Sequence, residues 1–401
     1  MKFALFLALL AVGTSACAQS LWTEFRKAFN RVLVAPDSVR SARAARFYDS
    51  LLAAQRIPFV TSDSVMFLFM GSANQVAWFG DFNEWGQRDA ALYTGRQVPQ
   101  TTLWYLIARF ENDARLDYKI VLNGNTWMLD PANPHQQWSG VGGGSPNSEL
   151  RMPGWKPDTL TRHPLTSRHG SFVENQLFYS SVMGYQISYS VYLPYGFKPV
   201  NRYPVLYVTD GYEYAHEKLG NITNTLDNLI ARGAIREVIA VLIDHREPAN
   251  RSNNRRMYEL AMNKQYLTFL TEEFIPFIES KWPVAASRHE RGILGTSMGG
   301  LAALYMAYAR PDLFGMAAVQ SPALWFKPEI FTFCQAPGAM PVKIYLSCGT
   351  FFDGETNTRK MKAILENQGC PLMYQETHQG HSWGNWRDQL DDILIFFFKP
   401  D

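Results

Sequence analysis

Apolar residues recur at helical spacing near the start of the chain: Leu21, Trp22, Phe25, Phe29 and Val32, then Ala45, Phe47, Leu51 and Leu52. That period belongs to helices with one buried face, so residues 19–57 are predicted as a helical lead-in. Near Thr61 the pattern changes to alternation, the mark of half-buried strands. Val65–Phe69, Gln75–Phe79, Trp104–Phe110 and Leu116–Val121 are predicted strands, separated by Gly, Asn and Asp. Short strands punctuated by turns predict a small β-sandwich over residues 58–138. The glycine-rich stretch Ser139–Ser148 has no periodicity and opens a predicted linker over 139–170.

From Ser171 onward two strands, Gln176–Ser181 and Gln186–Leu193, lead into a regular alternation. Strands are expected at Tyr203–Thr209, Val238–Ile243, Gly292–Leu294, Met316–Gln320, Lys343–Ser347 and Met373–Thr377. Helices are expected at Ile222–Arg232, Asn263–Lys281, Gly299–Arg310 and Asn357–Gln368, with one more at the C-terminus. Strand–helix alternation on this scale predicts a mostly parallel sheet with helices on both faces, occupying residues 171–401.

Composition changes this picture little. The chain has 401 residues, 47% of them hydrophobic and 18% charged, enough for two cored domains. A net charge of +2 with no long basic run gives no reason to expect a nucleic-acid partner. Residues 1–18 read as an export signal: Lys2, the apolar run Phe3–Val12, and the small-residue pattern Ala16-Cys17-Ala18. Lipidation of Cys17 is the alternative reading, although Thr14 stands where an apolar residue is usual. Either way the expected location is exported, periplasmic or extracellular. No other apolar stretch is long enough to cross a membrane, so no transmembrane segment is expected. Cys334, Cys348 and Cys370 lack metal-ligand spacing. No metal and no cofactor are therefore expected. An oxidising compartment permits one disulfide and an odd thiol; Cys348, within Ile344–Cys348, reads as a core residue.

The chemistry concentrates in the second half. Gly295-Thr296-Ser297-Met298-Gly299 follows an apolar strand and opens a helix, the strand–turn–helix context of a nucleophile elbow. A serine hydroxyl needs a base. His381, in Gly380-His381-Ser382-Trp383, follows late in the chain as that class requires; His378 is the competitor. The acid is expected on the loop after Lys343–Ser347, where Asp353 is the choice and Glu355 the reserve. Backbone N–H groups of Tyr212, after the strand ending Tyr207-Val208-Thr209-Asp210-Gly211, and of Met298 are the expected oxyanion donors. Asp210 reads as a residue fixing that loop rather than as a catalytic carboxylate. Arg255 and Arg256, on a polar loop beyond a strand end, and Trp383 are candidates for substrate binding; a solvated loop tied by its own ion pairs is the alternative.

Several blocks carry a resemblance. Tyr203-Pro204-Val205-Leu206-Tyr207, Asn254-Arg255-Arg256-Met257-Tyr258-Glu259-Leu260, Gly295–Gly300, Gln320–Trp325 and Gly380–Arg387 resemble, in order, those of the enterochelin-esterase and carbohydrate-esterase branch of the putative esterases. These are α/β-hydrolases, and mycolyltransferases and feruloyl esterases share the core. The likeness covers about residues 171–398 and implies the nucleophile, base and oxyanion roles above. It does not settle the acid. Gly80-Asp81-Phe82-Asn83-Glu84-Trp85, Leu116–Ile120 and Leu129-Asp130-Pro131 resemble the early-set β-sandwich found beside many carbohydrate enzymes. Trp78, Trp85, Trp104 and Trp127 could stack on sugars or simply fill its core. The resulting expectation is an exported serine ester hydrolase working through an acyl-enzyme on a small-molecule or polysaccharide substrate. That substrate is a siderophore-type ester or an acyl group on a polysaccharide. An acyltransferase using the same triad and a non-catalytic glycan-binding protein are the alternatives. The sequence does not give the oligomeric state.

Overall fold

The computed structural model describes residues 15–140, 145–336 and 341–400. Most of the expected export signal lies outside them. The chain divides into two compact units, one running to Gln137 and including Pro146–Lys156, the other comprising Trp138–Ser145 and Pro157 onward.

Among the described residues the first unit has two antiparallel sheets, two α-helices and two short 3-10 helices. One sheet has the order β1-β2-β5-β4, with β1 Phe59–Val60, β2 Ser64–Met70, β4 Arg96–Gln97 and β5 Leu103–Arg109. The other has the order β3-β6-β9-β8, with β7 beside β6; here β3 is Val76–Gly80, β6 Arg115–Leu122, β7 Thr126–Met128, β8 Gln136–Trp138 and β9 Pro146–Arg151. Alternation explains how β2 serves two layers. Met66 and Leu68 pack with Phe25 and Phe29 of the helix Ser15–Leu33 and with Tyr48 and Leu51 of the helix Asp37–Ala53. Phe67, on the opposite face, meets Trp78 and Tyr118 of the second sheet, with ring centres 5.8 and 5.2 Å away. The helical lead-in is thus the cover of one sheet. Each aromatic ring buried there contributes about 1.5–3 kcal/mol.

The motif words of this unit have internal work. The Asp81 carboxylate accepts the Asp117 N–H at 2.8 Å, and Asn83 Oδ1 accepts the N–H groups of Gly80 and Gly86. Gly80 is obligatory because a Cβ there would stand 2.2 Å from the Asp117 carbonyl oxygen. Trp78 and Trp104 are buried and have no face for a sugar, while Trp127 is exposed beside Phe79 and Trp85.

The second unit is built on an eight-stranded sheet of order β10-β11-β13-β12-β14-β15-β16-β17. Its strands are β10 Ser171–Ser180, β11 Tyr185–Leu193, β12 Val205–Val208, β13 Ile239–Asp244, β14 Arg291–Thr296, β15 Met316–Gln320, β16 Lys343–Gly349 and β17 Leu372–Thr377. β10, β11 and β13 pair antiparallel; from β13 to β17 the pairing is parallel. Successive residues of β12 serve opposite faces. Val205 and Tyr207 pack with the helices Met298–Ala309 and Ile275–Lys281, whereas Leu206 and Val208 pack with Ile222–Ala231 and Leu390–Phe398. Between Lys264 and Lys281 the expected single helix contains a π-helical stretch, Phe269–Phe274, ending two residues before Pro276, which cannot donate to a regular ladder.

The linker expected over 139–170 is different in the structure. Pro146–Arg151 is strand β9, paired with β6, and Thr159–Arg162 is a helix capped by Asp158. Asn228 ties this helix down by donating to the Leu160 and His163 carbonyls, and Arg162 pairs bidentately with Asp388. The second unit therefore includes residues 157–170 rather than beginning at 171. Cys334 and Cys348 are buried thiols, and Cys370 lies 3.1 Å from the Tyr308 hydroxyl.

Candidate active site

Every expected catalytic residue falls in the second unit, at the C-terminal ends of its parallel strands. β14 ends at Thr296, and the helix Met298–Ala309 begins two residues later. Ser297 makes the turn alone, at φ 58 and ψ −116. A serine held there stores about 1–3 kcal/mol of strain. Three hydrogen bonds hold it: Ser297 N–H donates to the Gln320 carbonyl, and the Ser297 carbonyl accepts from Leu301 and Ala323 N–H. The flanking glycines do not themselves adopt left-handed backbone; they are required by close approach. A Cβ on Gly295 would stand 2.2 Å from the Gly299 carbonyl oxygen, and one on Gly299 would stand 2.4 Å from Thr209 Oγ1.

The hydroxyl faces an imidazole. Ser297 Oγ lies 3.0 Å from His381 Nε2, and His381 Nδ1 lies 2.5 Å from Asp353 Oδ1. His381 is the histidine that reaches both groups; His378 sits one residue past the end of β17. The Asp353 side chain is fully buried, whereas that of His381 is 44% exposed. The second carboxylate oxygen of Asp353 accepts the Gly349 N–H and the Ser321 hydroxyl, both at 2.5 Å. Ser321 in turn accepts the indole N–H of Trp386, whose ring stands edge-on to His381 at 4.8 Å. Glu355, the reserve acid, opens the helix Glu355–Asn367 instead.

The two expected oxyanion donors lie in the first turns of two helices, where N–H groups lack an intrahelical acceptor. Met298 opens the helix after Ser297. Tyr212 lies in the helix Gly211–Ala215, preceded by Asp210 in left-handed backbone. The Tyr212 ring carries the Arg246 guanidinium 3.6 Å above its centre.

The expected substrate-binding residues fare differently. Trp383 is buried, edge-on to Tyr214 and Trp386 at 5.0 and 5.2 Å, so it is a core residue and not a substrate contact. Its helix, Trp383–Arg387, turns that side chain into the cluster around Leu390 and Leu394. Arg255 is occupied by Tyr185, whose ring centre is 3.9 Å from its guanidinium carbon, and by Glu247 at 3.5 Å. Arg256 chelates Asp210 with two donors at 2.6 and 2.9 Å and donates to the Thr296 carbonyl at 3.1 Å. Neither arginine is presented as a spare anion donor. Exposed rings instead stand on the loops that carry the site: Trp325, two residues past the Ala323 that binds Ser297, and Phe352, beside Asp353.

The buried framework under this arrangement carries no local sequence signal. Tyr214 donates to Gln320 at 2.7 Å, Gln320 donates to the Trp386 carbonyl and to Gln389, and Ser347 donates to Gln389. The same holds for a second histidine–carboxylate pair. His245 Nδ1 lies 2.5 Å from Glu259, which also accepts the Tyr185 hydroxyl. Burial opposes charge on His245, but Glu259 and Asp210 outweigh it and hold its pKa above the ordinary value. No hydroxyl meets its Nε2, which is buried and unbonded among the described residues, so this pair cannot activate a serine.

Comparison with known proteins agrees with this architecture. An endo-1,4-beta-xylanase/feruloyl esterase of Xylanibacter ruminicola is 27% identical over 245 residues, 58% of this chain and 32% of that protein. An uncharacterized protein, YjcH, of Bacillus subtilis (strain 168) is 23% identical over 232 residues, 55% of this chain and 95% of that one. The crystal structure of ferric enterobactin esterase from Salmonella typhimurium superposes with a TM-score of 0.71 at 17% identity, covering 84% of this chain and 94% of that one, a likeness of fold. Residues 180–397 match the family model described as "Putative esterase", and with more than half of its length inside that model, the chain belongs to this esterase family.

Proposed function

We propose that the protein hydrolyses carboxylic esters through an acyl-enzyme, with Ser297 as nucleophile, His381 as general base and acid, and Asp353 as the carboxylate that orients the imidazole. The observation that carries this reading is the continuous contact Ser297 Oγ–His381 Nε2–Asp353 at 3.0 and 2.5 Å. His381 takes the serine proton as Oγ attacks the ester carbonyl, and the imidazolium then gives it to the departing alcohol. The alkoxide of the tetrahedral intermediate rests on the N–H groups of Met298 and Tyr212. Water, deprotonated by the same imidazole, releases the acid and restores Ser297.

The acyl part of the substrate in this reading carries an aromatic ring. Trp325 and Phe352 are exposed on the loops next to Ser297 and Asp353, and exposed rings there suit a flat acyl group. Of the substrates expected from the sequence, a siderophore-type ester or an acyl group on a polysaccharide, this choice favours those whose acyl part carries an aromatic ring. The relatives named for feruloyl and enterobactin esters agree with it. The antiparallel sheets of the first unit form, in this proposal, an early-set sandwich that bears on substrate choice alone. Export directed by Met1–Ala18 belongs to the same proposal, and N-terminal sequencing of the mature protein tests it by beginning, or not, at Gln19.

The test is turnover of nitrophenyl acetate, followed by competition among acetyl-xylan, feruloyl-arabinose and a catecholate-serine ester. Preference for the aromatic esters supports the reading. Turnover of nitrophenyl acetate with preference for acetyl-xylan overturns the aromatic assignment, and no hydrolysis of any ester overturns the whole.

A further inference from the structure

The two proposed oxyanion donors come from separate places in the chain. Tyr212 follows β12, and Met298 follows β14, so something must fix one against the other. Asp210 and Thr296 precede these donors by two residues each. A single side chain, from neither segment, holds both. Arg256 places Nε and Nη2 on the two oxygens of Asp210, at 2.6 and 2.9 Å, and Nη2 also donates to the Thr296 carbonyl at 3.1 Å. The Asp210 side chain is 4% exposed and that of Arg256 21% exposed, so solvent does little to loosen the pair. The Asp210 backbone carbonyl accepts the N–H groups of Glu213 and Tyr214, which makes the carboxylate rigid with the helix that carries Tyr212. Its other side abuts the nucleophile turn: a Cβ on Gly299 would come within 2.9 Å of Asp210 Oδ2.

We infer that Arg256 is a positioning residue that locks the two halves of the oxyanion hole into one frame, acting through Asp210 on Tyr212 and through Thr296 on Ser297 and Met298. The inference rests on the esterase reading above. Its chemistry is a matter of geometry. Guanidinium offers parallel donors in a fixed plane, so it sets both distance and angle between the turns. Lysine offers one point charge and cannot chelate Asp210 while reaching Thr296. The oxyanion exists only after attack, so misplacing its donors weakens the transition state while substrate binding is kept.

Arg256→Lys is expected to lower kcat on nitrophenyl acetate ~10–100-fold, the range for a donor displaced by about an ångström or lost, with KM within about threefold. An aryl boronic acid, which forms a tetrahedral adduct with the nucleophile, should bind more weakly by the same factor as kcat falls. The product carboxylic acid should bind as before. Asp210→Asn breaks the clamp from the other side and is expected to give the same pattern, and the double variant should be no worse than either single one. Thermal melting of each variant accompanies the kinetics. A substrate anchor would instead raise KM at constant kcat. A purely structural residue would lower melting temperature and active fraction while leaving the boronate affinity of the folded fraction unchanged. Either pattern overturns the inference. If one variant does not fold, the other decides by the same criteria. Failure of the esterase reading is distinguishable: in that case the wild-type protein itself would bind no boronic acid and turn over no ester.

Discussion

Replacing Asp353 with asparagine removes a charge and no volume, and the surroundings dictate how the amide must lie. One carboxylate oxygen of Asp353 accepts two donors, the Gly349 N–H and the Ser321 hydroxyl, each at 2.5 Å. The Gly349 N–H cannot rotate away, because its direction is set by β16. The amide oxygen must therefore take that place, and the NH₂ group is turned toward His381 Nδ1, 2.5 Å from the present carboxylate. Nδ1 then has to accept, so the imidazole proton moves to Nε2, which faces Ser297 Oγ. The base is left with no lone pair toward the hydroxyl. The wrong tautomer in a triad costs about 10⁴-fold in kcat, about 5.4 kcal/mol at 1.36 kcal/mol per decade. Steady-state hydrolysis of nitrophenyl acetate, with circular dichroism to confirm the fold, measures it. Glu355→Gln should change kcat by no more than about twofold, since Glu355 opens a helix rather than touching the imidazole. An Asp353→Asn protein within tenfold of wild type, or a larger loss from Glu355→Gln, would show that Asp353 does not set the tautomer.

The other consequences are simpler to measure. His381→Ala should lower kcat by ~10³-fold or more, and His378→Ala by less than about tenfold; the reverse ranking would move the base. Gly295→Ala should abolish turnover, because its Cβ would meet backbone at 2.2 Å in the nucleophile turn; an active, normally melting variant would contradict that packing. A protein starting at Pro157 should hydrolyse nitrophenyl acetate. One starting at Ser171 should melt lower and aggregate, since it loses the partner of Asp388 and the carbonyls bound by Asn228; unpairing such a partly buried ion pair costs on the order of 3–5 kcal/mol. Equal melting temperatures for the two truncations would argue against residues 157–170 as part of the second unit.

The sheet of the second unit was legible because its strands are buried on both sides: runs such as Val205–Val208 and Ile239–Ile243 carry an apolar side chain for each face. The turn at Ser297 was legible because its local words are enforced by sterics, as the contacts of Gly295 and Gly299 show. β9 was not legible. Its buried residues include Asn147, Ser148 and Glu149, neutralised by partners such as Asp117 and Arg115, so no apolar alternation marks it. The inward face of Trp383 was not legible because a helix of five residues shows too little period to reveal it. The supports of the site were invisible for a different reason. Ser321 meets Trp386 across 65 positions and Arg256 meets Asp210 across 46, separations that only the folded sheet closes. The words Gly80-Asp81-Phe82-Asn83 spoke of fold because their polar groups are spent on the turn and on the neighbouring strand β6.

In the proposed mechanism Ser297 attacks an ester carbonyl with His381 as its base. Incubating the purified protein with a fluorophosphonate, then mapping the modified peptide by mass spectrometry, tests it most directly. A single adduct on Ser297 is expected, with ester hydrolysis lost in proportion to labelling and no label on the Ser297→Ala variant. Labelling elsewhere, or equal labelling and equal turnover in the Ser297→Ala variant, would contradict it.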